Sequence, residues 1–352
     1  MKKIYWIINQ FNNNDAAISC VEIANKLVQY RGISLIVLKK LDNSINYNVS
    51  GKIDVISLNI EDKYIVDDKL NSYFKKNKKI LMDKISELTT KNDLLISSSF
   101  LSSYIVPKGR RFLYYYTGTK NNFLSFKNKL LRNKHRTPDN YIFTSELLKK
   151  AVEKKKRYFG AYQIYPSATS YQYLDLTSKN NTISFIGSFD NYNNPLKALE
   201  VIKKIKESGL KFTFNMYGSG ILEDKIKAYI KENSLINNVN LISDYELVDA
   251  IRKSDLIINT NNNDALPLII IEALTQSVPV LSYKNELTDD SHSIIIDSEN
   301  YILEIKELFT KTKRLEKFKQ NALNYSYRFS KNVIIAKWLD ILEIEDNLGA
   351  KE

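Results

Sequence analysis

Leu256-Ile257-Ile258-Asn259-Thr260-Asn261-Asn262-Asn263-Asp264-Ala265-Leu266-Pro267-Leu268-Ile269-Ile270-Ile271-Glu272-Ala273-Leu274 is the stretch that decides the fold. A short apolar run, Leu256–Ile258, reads as a buried strand. A polar loop follows and ends at an acid, Asp264. A helix then carries a second acid, Glu272, eight residues after the first. Fully helical spacing would separate the two by ~12 Å of rise. Free amides at a helix start suit an anion such as phosphate. A carboxylate further along can accept both hydrogen bonds of a ribose diol. The same spacing also fits a capping Asp264 and a solvated Glu272, and it does not choose between them.

Outward from this stretch, strand and helix patterns alternate. Ile183–Ile186, Phe212–Met216, Val239–Ile242 and Val280-Leu281 read as strands. Leu222, Ile226, Tyr229 and Ile230 share one helical face between two of them. The first half repeats the pattern, with strands at Ile4–Ile8, Ile33–Leu38, Asp93–Ile96, Phe112–Tyr116 and Tyr141–Phe143. Residues 158–180 lose helical periodicity, carry Gly160 and Pro166, and read as a linker. The tail from Val333 to Leu342 is helical again. These patterns predict an α/β protein with mainly parallel sheets, built from two doubly wound, Rossmann-like halves. The expected boundaries are 1–165 and 170–325, with a C-terminal helix over 326–352 returning to the first half. Ligands of such sheets sit at the carboxyl ends of strands, so the expected site is a cleft between the domains.

Composition agrees and excludes other classes. The chain has 352 residues, which suits two domains. Hydrophobic residues make up 43% and charged residues 26%, as in a soluble protein. No apolar run approaches the ~18 residues of a membrane span. The apolar N-terminus stops at Asn9, too short for a signal peptide. A cytoplasmic location is expected. One cysteine, Cys20, excludes an internal disulfide framework and a cysteine zinc site. His135 and His292 leave little for a histidine metal site. His135 reads as surface, while His292, Cys20 and Trp338 read as structural.

The ordered set of motifs resembles the retaining family 4 glycosyltransferases of the GT-B fold. Asp264 to Leu274, followed by Val278-Pro279-Val280, is similar to that family's Glu-x7-Glu region. Ser184-Phe185-Ile186-Gly187 and Asn193-Asn194-Pro195-Leu196-Lys197-Ala198-Leu199 resemble its F-x-G-R and K-N-P segments. Tyr217-Gly218-Ser219-Gly220 resembles its G-x-G turn, and Ala250–Asp255 the segment before the acidic loop. Asp139–Glu146 resembles the signature before the linker, and Phe329 through Trp338 the helix that crosses back. The resemblance implies sugar transfer from a nucleotide sugar, UDP-type foremost, with retention of configuration. The acceptor would be a glycan, a lipid-linked saccharide or a glycoprotein of the bacterial cell surface, as in capsule synthesis. Asp264 would touch the transferred sugar and the charge developing at its anomeric carbon. Ala265, Leu266, Pro267 and Leu268 would hold the sugar and diphosphate through their backbone, and Glu272 the ribose. Gly187 and Gly218, without Cβ atoms, would let backbone approach the diphosphate, with Ser188, Asn193, Lys197 and Ser219 beside it. No cofactor and no metal are implied.

Several positions depart from the family. The first acid is Asp264, one methylene shorter than the usual glutamate. Ser188 and Asn193 replace the expected Arg and Lys, which would neutralise the leaving diphosphate. Lys197, Lys253 and Lys284 are the substitutes nearest in sequence. Without such a substitute, the alternative is a non-catalytic partner of an active transferase, or a glycan-binding module. The N-domain histidine is absent, with Ser97–Ser99 and Thr117-Gly118-Thr119 near its usual places. A retaining mechanism can use the leaving phosphate itself as base. Asn12-Asn13-Asn14-Asp15 stands for the glycine-rich loop, which puts Asn14 and Thr117 on the acceptor side.

The net charge of +12 is local. Between Lys108 and Arg157 there are 15 basic residues and 3 acids, a difference of 15 − 3 = +12. At its centre, Phe123, Leu124, Phe126, Leu130 and Leu131 share one face, with Lys129 and Arg132 opposite and Lys127 inside the apolar arc. This suits a helix lying on an anionic membrane surface, peripheral on the inner face of the plasma membrane. It also suits a core-packed helix with a solvated basic face. No helix-turn-helix, zinc-finger or ribonucleoprotein pattern supports nucleic-acid binding.

Overall fold

Strands that read as unbroken apolar runs are covered on both faces, as parallel sheets require. In the computed structural model, residues 2–11, 15–39, 41, 49–65, 70–117, 138–153, 161–168, 170–261 and 266–349 are described. The chain forms two compact units, residues 1–167 with 332–352, and 168–331. Both are α/β with a parallel sheet.

The N-terminal unit has β1 (Ile4–Ile8), β2 (Ile33–Lys39), β3 (Asp54–Ile60), β4 (Leu94–Ser97), β5 (Arg111–Tyr116), β6 (Asn140–Phe143) and β7 (Ala161–Gln163). Their order is β3-β2-β1-β4-β5-β6-β7, and every pair is parallel. The order reverses between β1 and β4, where Ile4–Ile7 pair with Leu94–Ser97. Two strands escaped the sequence pattern. β7 lies inside the expected linker and has only three half-buried residues. β3 is a sheet-edge strand whose residues are mostly half-buried or exposed. The final helix, Lys331–Gly349, rejoins this unit. Trp338 is fully buried against Trp6 and Tyr115, with ring centroids 5.2 and 5.6 Å away. Glu345, 1% exposed, accepts hydrogen bonds from Arg111, from Asn140 Nδ2 at 2.6 Å and from the Tyr162 hydroxyl at 3.2 Å. Those donors start β5 and β6 and lie in β7, so one carboxylate pins the returning helix to three strands.

The C-terminal unit has β8 (Thr182–Ile186), β9 (Thr213–Tyr217), β10 (Val239–Ile242), β11 (Leu256–Asn259), β12 (Val280–Ser282) and β13 (Ser293–Ile295). The order β10-β9-β8-β11-β12-β13 is fully parallel, with its switch point between β8 and β11. At the amino edge, fully buried Asp255 accepts the Lys179 amide at 2.8 Å and pairs with Lys319 at 3.2 Å. Burial pulls the Lys319 ammonium below its ordinary range, while Asp255 pulls it back up. Among the described residues no helix is long and apolar enough to cross a membrane.

Candidate functional site

The carboxyl ends of β8 and β9 continue as two interlocked turns. Gly187 N donates to Tyr217 O at 3.0 Å, and Phe189 N to Ser219 O at 2.8 Å. Gly218 has φ +149, and a Cβ there would sit 2.0 Å from Gly187 O. Gly220 is equally closed, with Phe189 O 2.6 Å from a built Cβ. Glycine at 218 is therefore demanded by the packing of the two turns themselves. Gly187, at φ +153, is the freer one, with the Asn193 side chain 3.6 Å away as its nearest neighbour.

The next element begins at the same place. Asn194 adopts left-handed backbone (φ 53, ψ 54), which asparagine tolerates better than most residues, and Pro195 opens the helix Pro195–Glu207. No side chain caps this helix. The Thr260 hydroxyl, just past β11, donates to Asn193 O at 3.1 Å and Asn194 O at 2.9 Å. The predicted residues Gly187, Ser188, Asn193, Gly218 and Ser219 thus lie together, with Thr260 tying them to β11. Sequence reading missed Thr260, whose burial after an apolar strand was its one signal.

The helix Leu268–Thr275 runs back from β11 to β12, so its N-terminus lies at this same edge. Its N-cap is Pro267, with extended backbone (φ −78, ψ 114) and no side-chain cap. The helix therefore starts four residues after Asp264, so only half of the eight-residue spacing is helical, and Glu272 lies ~6 Å along the axis from the first helical residue. Asp264 and Ala265 lie outside the described residues. Leu266, Pro267 and Leu268 are half-buried at the helix entrance. Glu272 is 2% exposed, and its Oε2 accepts a hydrogen bond from Ser170 Oγ at 2.9 Å.

The three substitute cations separate. Lys253 lies two residues before Asp255, at the amino edge of β11, about 13 Å of strand away from the turns. That placement removes it. Lys197 is on the first turn of its helix but is paired with Glu200 at 2.9 Å, and this hydrogen bond raises its pKa. Lys284 follows the carboxyl end of β12, is exposed, and has no ion pair among the described residues. Among the described residues, no group of three or more His, Cys, Asp or Glu could hold a metal.

The corresponding edge of the N-terminal unit carries hydroxyls and amides. Ser99 Oγ donates to Asn9 Oδ1 at 2.5 Å and, with Ser102, forms a reciprocal capping box on the helix Phe100–Tyr104. Thr117 is half-buried at the end of β5. Cys20 is buried beside Ser98 at 3.3 Å, and burial pushes its thiol up to about 12, which makes it an inert core residue. Asn14, Phe123, Phe126, Lys127, Arg132 and His135, and the basic run 154–157, lie outside the described residues. Part of the basic stretch is structural: Arg110 donates to Thr89 O at 2.8 Å, Arg111 holds Glu345, and Lys149 and Lys150 pair along their helix with Glu153 and Glu146.

Residues 172–325 match the family model for glycosyl transferases group 1. The match lies within the C-terminal unit and spans most of it. The chain is 25% identical over 175 residues to the amylovoran biosynthesis glycosyltransferase AmsD of Erwinia amylovora, covering 47% of this chain and 48% of that protein. It is 29% identical over 169 residues to the poly(glycerol-phosphate) alpha-glucosyltransferase of Bacillus subtilis strain 168, covering 44% of this chain and 24% of that one. The chain thus spans half or less of the curated relatives it matches. Solved structures match along 97% of the chain. The pneumococcal O-GlcNAc transferase GtfA, solved with UDP and GlcNAc, superposes with a TM-score of 0.79 at 12% identity over 98% of its chain. S. aureus TarM, with fondaparinux, alpha-GlcNAc-glycerol and UDP, gives 0.78 at 12% over 99%. Anabaena HepE, with UDP and glucose, gives 0.74 at 14% over 100%. These likenesses show the GT-B fold.

Proposed function

We propose that the chain is a retaining glycosyltransferase that moves a sugar from a nucleotide-diphosphate donor, UDP-type foremost, onto a bacterial surface glycan. The acceptor class is a growing polysaccharide, a lipid-linked saccharide or a protein-linked glycan. One observation carries the reading: two glycine turns and two helix N-termini without side-chain caps meet at the switch point, on the helix that also bears the buried acid Glu272. Backbone amides there suit a diphosphate, and Glu272 suits a ribose diol. Asp264 takes the anomeric side, and Lys284, with no ion pair among the described residues, follows β12 at the same edge and would meet the leaving diphosphate. Protein dipoles and cations then do the work a metal would do. The names of AmsD and the alpha-glucosyltransferase, and the UDP in three solved neighbours, support a donor of this class and a surface-glycan product. Acceptor binding falls to the N-terminal unit. Its basic stretch would dock on the anionic inner face of the plasma membrane.

A donor-hydrolysis screen across UDP- and GDP-sugars tests this. At least one donor is expected to be hydrolysed or transferred, and Glu272→Ala to abolish that turnover. Unchanged turnover in Glu272→Ala would sink the assignment. A second reading, a non-catalytic partner of an active transferase, rests on neutral Ser188 and Asn193 and on Lys197 held by Glu200. It predicts no turnover of any donor, alone or in the presence of acceptor.

A further inference from the structure

Behind Glu272 runs a directed chain of hydrogen bonds. Arg252 Nε donates to Gln276 Oε1 at 2.7 Å. Gln276 Nε2 donates to Ser170 Oγ and to Tyr171 O, each at 2.9 Å. Ser170 Oγ donates to Glu272 Oε2 at 2.9 Å. Every direction is fixed by chemistry. A guanidinium can only donate and a backbone carbonyl can only accept, so the Gln276 amide has one possible orientation. Ser170 therefore receives at its oxygen, and its single proton goes to the carboxylate. The guanidinium of Arg252 lies over the Tyr173 ring, 4.1 Å from its centroid, which anchors the far end. Glu272 and Gln276 are one helical turn apart, and Gln276 is 1% exposed. The segment carrying Ser170 is itself held: Tyr173 N donates to Thr275 O at 2.9 Å, and Asp175 N to Ser277 Oγ at 2.9 Å.

We infer that Ser170, oriented by Gln276 and Arg252, is a positioning residue that holds the Glu272 carboxylate aimed at the vicinal hydroxyls of the donor's ribose. This rests on the ribose assignment of Glu272 made above. The Ser170 hydroxyl donates to Oε2 from outside the helix, favours the charged carboxylate and helps fix its plane, and a change in that plane weakens a two-hydroxyl contact.

The test is a ratio, which a general loss of packing does not move. UDP and 2′,3′-dideoxy-UDP are titrated calorimetrically into the full chain, its Glu272→Ala variant, Ser170→Ala and Ser170→Thr. The wild type is expected to prefer UDP, and Glu272→Ala to bind both alike. Ser170→Ala is expected to lose roughly three- to tenfold of the preference while binding dideoxy-UDP as before. Ser170→Thr, which keeps the hydroxyl, is expected to restore it. An unchanged preference in Glu272→Ala overturns the ribose assignment and this inference with it. A preference lost in Glu272→Ala but kept in Ser170→Ala overturns this inference alone. So does an equal loss for both nucleotides in Ser170→Ala.

Discussion

At the switch point of the C-terminal unit, the strands end in backbone: Gly187, Gly218 and Gly220 close two turns, and the helices after them start without side-chain caps. At the equivalent point of the N-terminal unit they end in hydroxyls. Ser99 is bonded to Asn9, and it caps the helix Phe100–Tyr104 together with Ser102. The strand order around both points is the same, with the second strand and the fourth flanking the first. The difference lies in what each helix start does with its amides. One unit starts its helices without side-chain caps, the other caps its helix with Ser99 and Ser102. On the proposed function, the nucleotide's diphosphate would go to the C-terminal unit and the polyhydroxyl acceptor to the N-terminal one.

Gly218→Val and Ser99→Ala test that contrast directly, and the expected effects are taken from the largest downward. Gly218→Val drives a side chain into Gly187 O, and no rotamer relieves a backbone overlap. Loss of UDP binding and a lower melting temperature are expected, by calorimetry and thermal scan. Gly51→Ala in the N-terminal unit meets nothing within 4 Å and should change neither. UDP binding that survives Gly218→Val would show that the interlocked turns do not form the site.

His292 comes next. It is buried against Tyr325 at 4.4 Å between centroids, bonded to Ser293 Oγ at 2.9 Å, and burial pulls its imidazole down to about 4. The free residue titrates near 6.5, so the unfolded chain takes up a proton first as pH falls. Its contribution is complete above about pH 6.5 and is lost between there and about pH 4. Urea midpoints should fall over that window, and His292→Phe should flatten the fall. Parallel pH profiles for the two proteins would contradict the assignment.

The smallest effect is Ser99→Ala. Losing the reciprocal cap should cost about 1 kcal/mol of stability and leave UDP affinity unchanged. A drop in affinity would mean that the hydroxyl edge also serves the nucleotide.

Most of the fold was legible because buried parallel strands are unbroken apolar runs, as in Ile33–Leu38. β7 escaped because three half-buried residues make no pattern, and it turned part of the expected linker into sheet. The turns at Gly187 and Gly218 and the place of Glu272 on a helix after β11 were legible because a motif fixes them at short spacing. Lys253 misled, since proximity to the acidic loop in sequence placed it on the opposite edge of the sheet. Ser170 and Gln276 were invisible because partners 102 and 106 residues apart leave no periodic trace. Gly218 also has a packing reason that the sequence did not show: the adjoining turn excludes a Cβ there.

The most direct measurement is a calorimetric titration of UDP into the full chain in the presence of a metal chelator. The account predicts saturable binding at one site per chain, stronger for UDP than for UMP because the diphosphate is what the glycine turns and free amides hold. No heat at about 1 mM nucleotide, for UDP and GDP alike, would contradict it.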